Sequence, residues 1–183
     1  MSIMRNLKQR VASKDFVLRT RLISKKGKYI NMEVEKITRD ICERKRKVIS
    51  DFIYKSMNQG YDVEWYSHEE AIAKCNQLKN YIEDGSAIAY LAIKDNLPEG
   101  FIWAYPCSDR GDGNRVYISI VYINEECRGI NIGKALINEV ESEVKKRGYS
   151  KIWLHTNGQN INAIKFYEKI GFSKERIQYV KNI

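Results

Sequence analysis

CRGINIGKAL, residues 127–136, sets Gly129 and Gly133 on either side of an asparagine, Asn131. The β-rich run RVYISIVYI (115–123) precedes it, and GKALINEVESEVKKRG (133–148) follows it as a helix. Ala135, Leu136, Val140 and Val144 share one stripe of that helix, and Gly148 stops it. A strand-to-helix turn of this kind directs the free N–H groups of a helix start at one spot, where the helix dipole favours an anion. Arg128 and Lys134 add positive charge. By themselves these ten residues leave open whether the turn grips a phosphate or only joins a strand to a helix.

Working outward, the chain alternates two kinds of pattern. Residues 1–13 space Ile3, Leu7 and Val11 as an amphipathic helix or an arm. DFVLRTRLI (15–23) and YINMEVEKI (29–37) flank SKKGK and predict a hairpin. TRDICERKRKVISDFIYKSM (38–57) predicts a helix capped by Thr38, with Gly60 beyond its end. SHEEAIAKCNQLKNYI (67–82) opens on the S-x-x-E of a capping box. Three β-rich runs follow, SAIAYLAIKD (86–95), GFIWAYP (100–106) and RVYISIVYI, joined by turn residues. After the turn and its helix come a short strand, SKIWLHT (150–156), a last helix in NINAIKFYEKI (160–170), and GFSKERIQYVKNI (171–183) as a closing strand or hairpin. This order predicts an α/β layered domain with a mixed sheet.

The length of 183 residues fits a single core. The division expected is a basic N-terminal extension over 1–28, with room for an extra strand, and one domain over 29–183. The net charge of +9 is uneven, since residues 1–48 carry +10 and the remainder −1. Such a segment suits RNA, an anionic surface or an acidic partner, or is a solvated arm and one charged helix face. No apolar run is long enough to cross a membrane. The opening MSIMRNLKQRVASKDF is broken by charges, unlike a secretory signal. Cys42, Cys75, Cys107 and Cys127 lie far apart with two histidines in the chain, which argues against a disulfide framework or a metal site and suits reduced thiols. A cytoplasmic location is expected.

The turn gains meaning from NINAIKFYEKIGF (160–172). Together the two segments resemble the acyl-CoA-dependent N-acetyltransferases of the GNAT superfamily. That family's cofactor motif, Arg/Gln-x-x-Gly-x-Gly/Ala before a helix, is matched by Arg128, Gly129, Ile130, Asn131, Ile132 and Gly133. Its later motif is matched by Asn160, Ala163, Tyr167, Gly171 and Phe172. The resemblance is close over residues 86–172, holds for element order over 30–85, and does not reach 1–28. It implies a central mixed, mostly antiparallel twisted sheet of about seven strands flanked by about four helices. Asn131 departs from the family pattern, standing at its first glycine. Asn still supplies a backbone N–H and tolerates positive φ better than other residues with a side chain.

The resemblance further implies acetyl-CoA as cofactor, held by Arg128 through Lys134, by Asn160, Ala163 and Tyr167, and by the strand backbone at Val121 and Ile123. Acyl transfer to an amine needs a base for the ammonium proton, stabilisation of an oxyanion and an acid for the leaving thiolate. Tyr167 matches the family's acid. His155 stands five residues before Asn160, where N-terminal-amine acetyltransferases of this superfamily place a catalytic Glu, and imidazole can accept a proton near neutral pH. Ser119 is the sole polar side chain at the third-strand position where other members carry a Glu, and Glu125 and Glu126 read as a solvated turn. The connection QGYDVEWYSHEE (59–70) offers Asp62, Glu64, Trp65 and Tyr66 to an ammonium-bearing acceptor through charge and cation–π attraction. Asp109 and Asp112 of CSDRGDGN (107–114) belong to a polar turn near the same end. The acceptor expected is a small-molecule or peptide amine. A homodimer, and a non-catalytic acyl-CoA-binding or RNA-associated module using residues 1–48, stand as alternatives.

Overall fold

A computed structural model describes residues 17–23, 29–59, 61, 63–107 and 114–181. The described elements run β1 (Val17–Ile23), β2 (Tyr29–Lys36), α1 (Arg39–Arg44), α2 (Arg46–Asn58), α3 (His68–Glu83), β3 (Ile88–Lys94), β4 (Leu97–Pro106), β5 (Arg115–Ile123), α4 (Ile132–Lys146), β6 (Lys151–Leu154) and α5 (Ile161–Lys169). The strands form one sheet in chain order, antiparallel from β1 to β5 and parallel between β5 and β6. The expected hairpin is β1–β2, whose pairing runs from Val17 opposite Glu35 to Ile23 opposite Tyr29. The amphipathic stretch expected over 1–13, and Gly60, lie outside the described residues.

Helix starts follow the local chemistry. Thr38 Oγ1 accepts from the Ile41 N–H at 3.3 Å. The capping box at α3 is complete: Glu70 N–H donates to Ser67 Oγ at 3.2 Å, and Ser67 N–H to Glu70 Oε2 at 2.7 Å. The long helix expected over 38–57 is jogged into α1 and α2 at Lys45. No glycine or proline marks that jog. Its visible partner is on the sheet, where Lys45 Nζ reaches Glu35 Oε2 at 3.0 Å.

Two apolar layers sandwich the sheet. On one face, Ile49, Phe52 and Ile53 of α2 and Leu78 of α3 pack with Leu91, Phe101, Trp103 and Ile120. On the other, Leu136, Val140 and Val144 of α4 pack with Ile88, Ile102, Val116 and Ile118. Ile118 and Ile120 would share a face in a regular strand. They do not, because Trp103 pairs with Ile120 and Ala104 with Ile118, which leaves Ser119 as an extra residue. This bulge turns the second half of β5 over and re-aims it.

Two expectations are corrected. Among the described residues the sheet has six strands, not about seven, because residues 172–181 form neither strand nor hairpin. Ile177, Tyr179 and Val180 are 72%, 89% and 80% exposed, so their apolar alternation finds no partner ladder. Five helices are described instead of about four, the extra one arising from the jog at Lys45. Among the described residues no helix is long and apolar enough to cross a membrane, and no group of three or more His, Cys, Asp or Glu side chains could hold a metal ion.

Candidate active site

The site begins where the two parallel strands part. β5 pairs with β6 only from Arg115 opposite Lys151 to Ile118 opposite Leu154. From the Ser119 bulge onward, β5 continues to Ile123 without β6 beside it, while the chain after β6 turns into His155 and the start of α5. An opening at the carboxyl ends of diverging parallel strands is where α/β sheets place ligands. Asn124 N–H donates back to Glu99 O on β4 at 2.9 Å, so by strand alternation the backbone groups of Val121 and Ile123 point the other way, along this free edge. Two side chains already reach their carbonyls: Ser56 Oγ donates to Val121 O at 3.3 Å and Arg128 Nε to Ile123 O at 3.2 Å. The N–H groups of Val121 and Ile123 share that direction.

The turn after β5 is built on two left-handed residues. Gly129 has φ 78°, and Asn131, the residue preceding α4, has φ 67° and ψ 14° with no side-chain bond to the helix. The backbone that a glycine would favour is therefore kept by an asparagine, the non-glycine residue best suited to it. The first bond within the helix runs from Ala135 N–H to Asn131 O at 3.0 Å, so the N–H groups of Ile132, Gly133 and Lys134 precede the ladder and face outward from the helix start. Ile130 and Ile132 are buried and anchor the turn, whereas Asn131 and Lys134 are exposed. Gly133 is needed for packing: a Cβ there would lie 3.0 Å from Cζ of Phe166. That contact lays α5 against the turn and makes Phe166 the core-facing ring, leaving Tyr167 as its neighbour on the helix.

Arg128 behaves differently from the free cation its place suggested. It folds back onto Ile123 O and also pairs with Glu125 at 3.1 Å. Glu125 and Glu126 are exposed in a short 3-10 turn, as a solvated turn requires. The thiol nearest the turn, Cys127, is buried and pushed up by that burial, so it stays protonated rather than acting as a nucleophile.

Asn160 caps α5, its Oδ1 accepting from Ala163 N–H at 3.1 Å. The ring of Tyr167 packs on Phe166 and Phe172 with centroids 5.3 and 5.6 Å away, and burial pushes its hydroxyl up to about 12. His155 is exposed at the end of β6, edge-on to Trp153 at 5.1 Å and Tyr117 at 5.8 Å. Tyr167 and His155 thus belong to different aromatic clusters, one beside the turn and one at the strand ends. Ser119 sits on the bulge and hydrogen-bonds Tyr105, whose own hydroxyl burial pushes up to about 12.

Of the acceptor residues expected, Asp62 lies outside the described residues, as do Asp109 and Asp112. Glu64, Trp65 and Tyr66 are exposed on the α2–α3 connection, and Glu64 hydrogen-bonds the Tyr54 hydroxyl, raising it. Sequence reasoning missed Ser56 and Asn58, whereas Phe166, expected as the core-facing ring beside Tyr167, packs that way. A serine or asparagine in the last turn of a helix carries no local signal of a contact with a strand sixty-five residues away.

With this geometry in hand, the comparisons identify the class. The profile of the Acetyltransferase (GNAT) family matches residues 50–172, and the chain belongs to that family. Among curated relatives, an uncharacterized N-acetyltransferase of Methanocaldococcus jannaschii is 35% identical over 135 residues, 70% of this chain and 58% of its own. The N-alpha-acetyltransferase 30 of Schizosaccharomyces pombe is 31% identical over 127 residues, 62% of this chain and 85% of its own. The chain spans about half the length of several relatives it matches, 47% for a probable N-acetyltransferase camello of Xenopus tropicalis. In fold, it is similar to the paia N-acetyltransferase of Thermoplasma acidophilum solved with coenzyme A, at TM-score 0.62 and 22% identity over 80% of this chain and 92% of that one. The aminoglycoside N-acetyltransferase AAC(6')-Iy in complex with CoA gives TM-score 0.60 and 15% identity over 84% and 95%.

Proposed function

We propose that this protein transfers an acetyl group from acetyl-CoA to a primary amine within one ternary complex. The observation that carries the reading is the opening between β5 and β6, with a free strand edge on one side and a helix-start cradle at its end. The N–H groups of Ile132, Gly133 and Lys134 would take the pyrophosphate, with Lys134 adding charge. Gly129, Ile130 and Asn131 shape that cradle, Arg128 braces it, and Asn160 and Ala163 present the start of α5 beside it. The N–H groups of Val121 and Ile123 would align the pantetheine arm and polarise the thioester carbonyl.

Bound acetyl-CoA supplies the activated acyl group. The protein supplies the proton movements. His155 accepts the amine's proton, directly or through a water, as the nitrogen forms its bond to the acyl carbon. The carbon–sulfur bond breaks and Tyr167 gives its hydroxyl proton to the departing sulfur. Burial makes this role consistent with pH: a hydroxyl held near 12 keeps its proton throughout the neutral range. Tyr167 therefore puts no alkaline limb on the rate below about pH 10, where an ordinary phenol is already half ionised.

The test is an acceptor screen with radiolabelled acetyl-CoA over amines, aminoglycosides, polyamines and peptides, repeated on two variants. Tyr167→Phe should lower kcat about a hundredfold with acetyl-CoA affinity unchanged. His155→Ala should lower kcat and change the shape of the pH–rate profile. Unchanged turnover of Tyr167→Phe across the pH profile removes that hydroxyl from the mechanism, and an unaltered profile for His155→Ala assigns the base elsewhere.

A further inference from the structure

Two cysteines far apart in the sequence meet in the fold. Cys42 of α1 and Cys75 of α3 are 3% and 2% exposed in one apolar layer, and their side chains are hydrogen-bonded to each other. A buried cysteine by itself packs as a small hydrophobe, but two thiols in contact share a chemistry, since a sulfur–sulfur bond needs only that the pair draw together. The pair is not sealed. A cleft of about 60 Å³ reaches it, lined by Glu43, Arg46, Asn76 and Lys79 as well as the two thiols. Glu43, Arg46 and Asn76 are exposed, so the cleft opens at the surface. It has room for a molecule the size of a water or two, and none for a peptide-sized disulfide. Two cross-helix contacts frame it: Arg46 Nη2 donates to Asn76 Oδ1 at 2.8 Å, and Lys79 Nζ pairs with Glu43 Oε1 at 2.8 Å. The jog at Lys45 falls between Cys42 and Arg46, so α1 brings a thiol and α2 a guanidinium to the same cleft.

The surroundings divide the pair into two roles. The Cys75 S–H donates to the Cys42 sulfur and, against burial, holds that thiol below its ordinary value; Lys79 and Arg46 add to the effect and Glu43 opposes it. The same bond, together with burial, pushes the Cys75 thiol up. Cys42 is thus the sulfur that reaches the thiolate first, and Cys75 the one that keeps its proton. Neither has a part in the acetyl transfer proposed above. Cys107 is half-buried and more exposed than the other three thiols, so exposure alone would direct an oxidant there instead.

We propose that Cys42 and Cys75 are a dithiol that hydrogen peroxide converts to a disulfide, joining α1 to α3. The Cys42 thiolate attacks one peroxide oxygen; the sulfur–oxygen bond forms as the oxygen–oxygen bond breaks, and the departing hydroxide, beside Lys79 and Arg46, takes up a proton and leaves as water. The Cys75 sulfur then attacks the sulfenic sulfur of Cys42. The sulfur–sulfur bond forms as the sulfur–oxygen bond breaks, and the hydroxide released takes the Cys75 proton. The two thiols together lose two electrons, and one peroxide is reduced to two waters. The link closes residues 42–75 into a covalent loop that contains α2, and with it Ser56 on the free edge of β5. The experiment treats the reduced, folded full chain with hydrogen peroxide alone, blocks the remaining thiols after denaturation and maps the peptides by mass. Free thiols should fall from four to two, with Cys42 joined to Cys75 within one chain, before Cys107 is oxidised, and dithiothreitol should restore all four. Cys75→Ala should instead stop at a Cys42 sulfenic acid that dimedone traps, and Cys42→Ala should leave Cys75 a thiol. The map of the unaltered chain decides the matter even where a variant fails to fold. Four thiols surviving the peroxide, oxidation of Cys107 while Cys42 and Cys75 stay thiols, or a Cys42–Cys75 link found only between chains overturns the proposal.

Discussion

Asn131 shows how one residue can depart from a motif and keep its geometry. The turn asks for φ near 67° at this position, and an L-residue pays about 1–2 kcal/mol for the left-handed region, asparagine less than most. Since the side chain makes no bond to the helix, the conformation is a property of the backbone. Asn131→Gly should leave acetyl-CoA affinity unchanged or tighter, read by calorimetric titration; a marked loss would show that the asparagine side chain itself contributes a contact. Asn131→Val should cost about 1–2 kcal/mol in a denaturant melt, the strain of a β-branched residue at positive φ. This position was legible in the sequence because the demand is local. Asn58 was not, because its value comes from four bonds to a loop that folds back over it.

The helices and strands were legible where period and cap agree, as at α3 and α4. Their mutual anchors were not. α4 is bound to the start of β3 by Arg147, which donates to the carbonyls of Gly85, Ser86 and Ala87 at 3.0–3.2 Å and pairs with Glu143 at 3.1 Å. Burial acts to raise the Glu143 carboxyl, but Arg147 and Lys36 outweigh it and hold the group below the usual carboxylate range. A lowered native value gives stability that is complete above the unfolded range and is lost as pH falls through the native one. Glu143→Gln should therefore flatten the acid side of the stability profile below about pH 4, measured by urea melts across pH. Arg147→Ala should cost about 1–3 kcal/mol, since it strips partners from part-buried carbonyls. A melt within error of the parent would show that water replaces the guanidinium there.

At the scale of the molecule, the layered α/β plan and the hairpin were readable from alternating patterns, while the strand count was not. IQYV at 177–180 alternates like a strand, yet a strand exists only with a ladder partner, and the structure leaves these residues exposed. Ile177→Ser should change stability by less than about 0.5 kcal/mol, as for an isolated surface position. A loss of several kcal/mol would place the segment in a sheet. The bulge at Ser119 was equally hidden, since Ile118 and Ile120 read as one face of a regular strand. It is nonetheless what re-aims β5 at the point where β6 leaves it.

The central claim is that the opening between β5 and β6, closed at its end by residues 128–134, takes acetyl-CoA. Calorimetric titration of the full chain with acetyl-CoA, beside Lys134→Glu, tests it most directly. Lys134 is exposed, so the variant should melt with the parent, while a carboxylate facing the pyrophosphate should weaken binding about tenfold or more. One acetyl-CoA per chain with that weakening is the expected result. Absent binding, or equal affinity in parent and Lys134→Glu, would contradict the account.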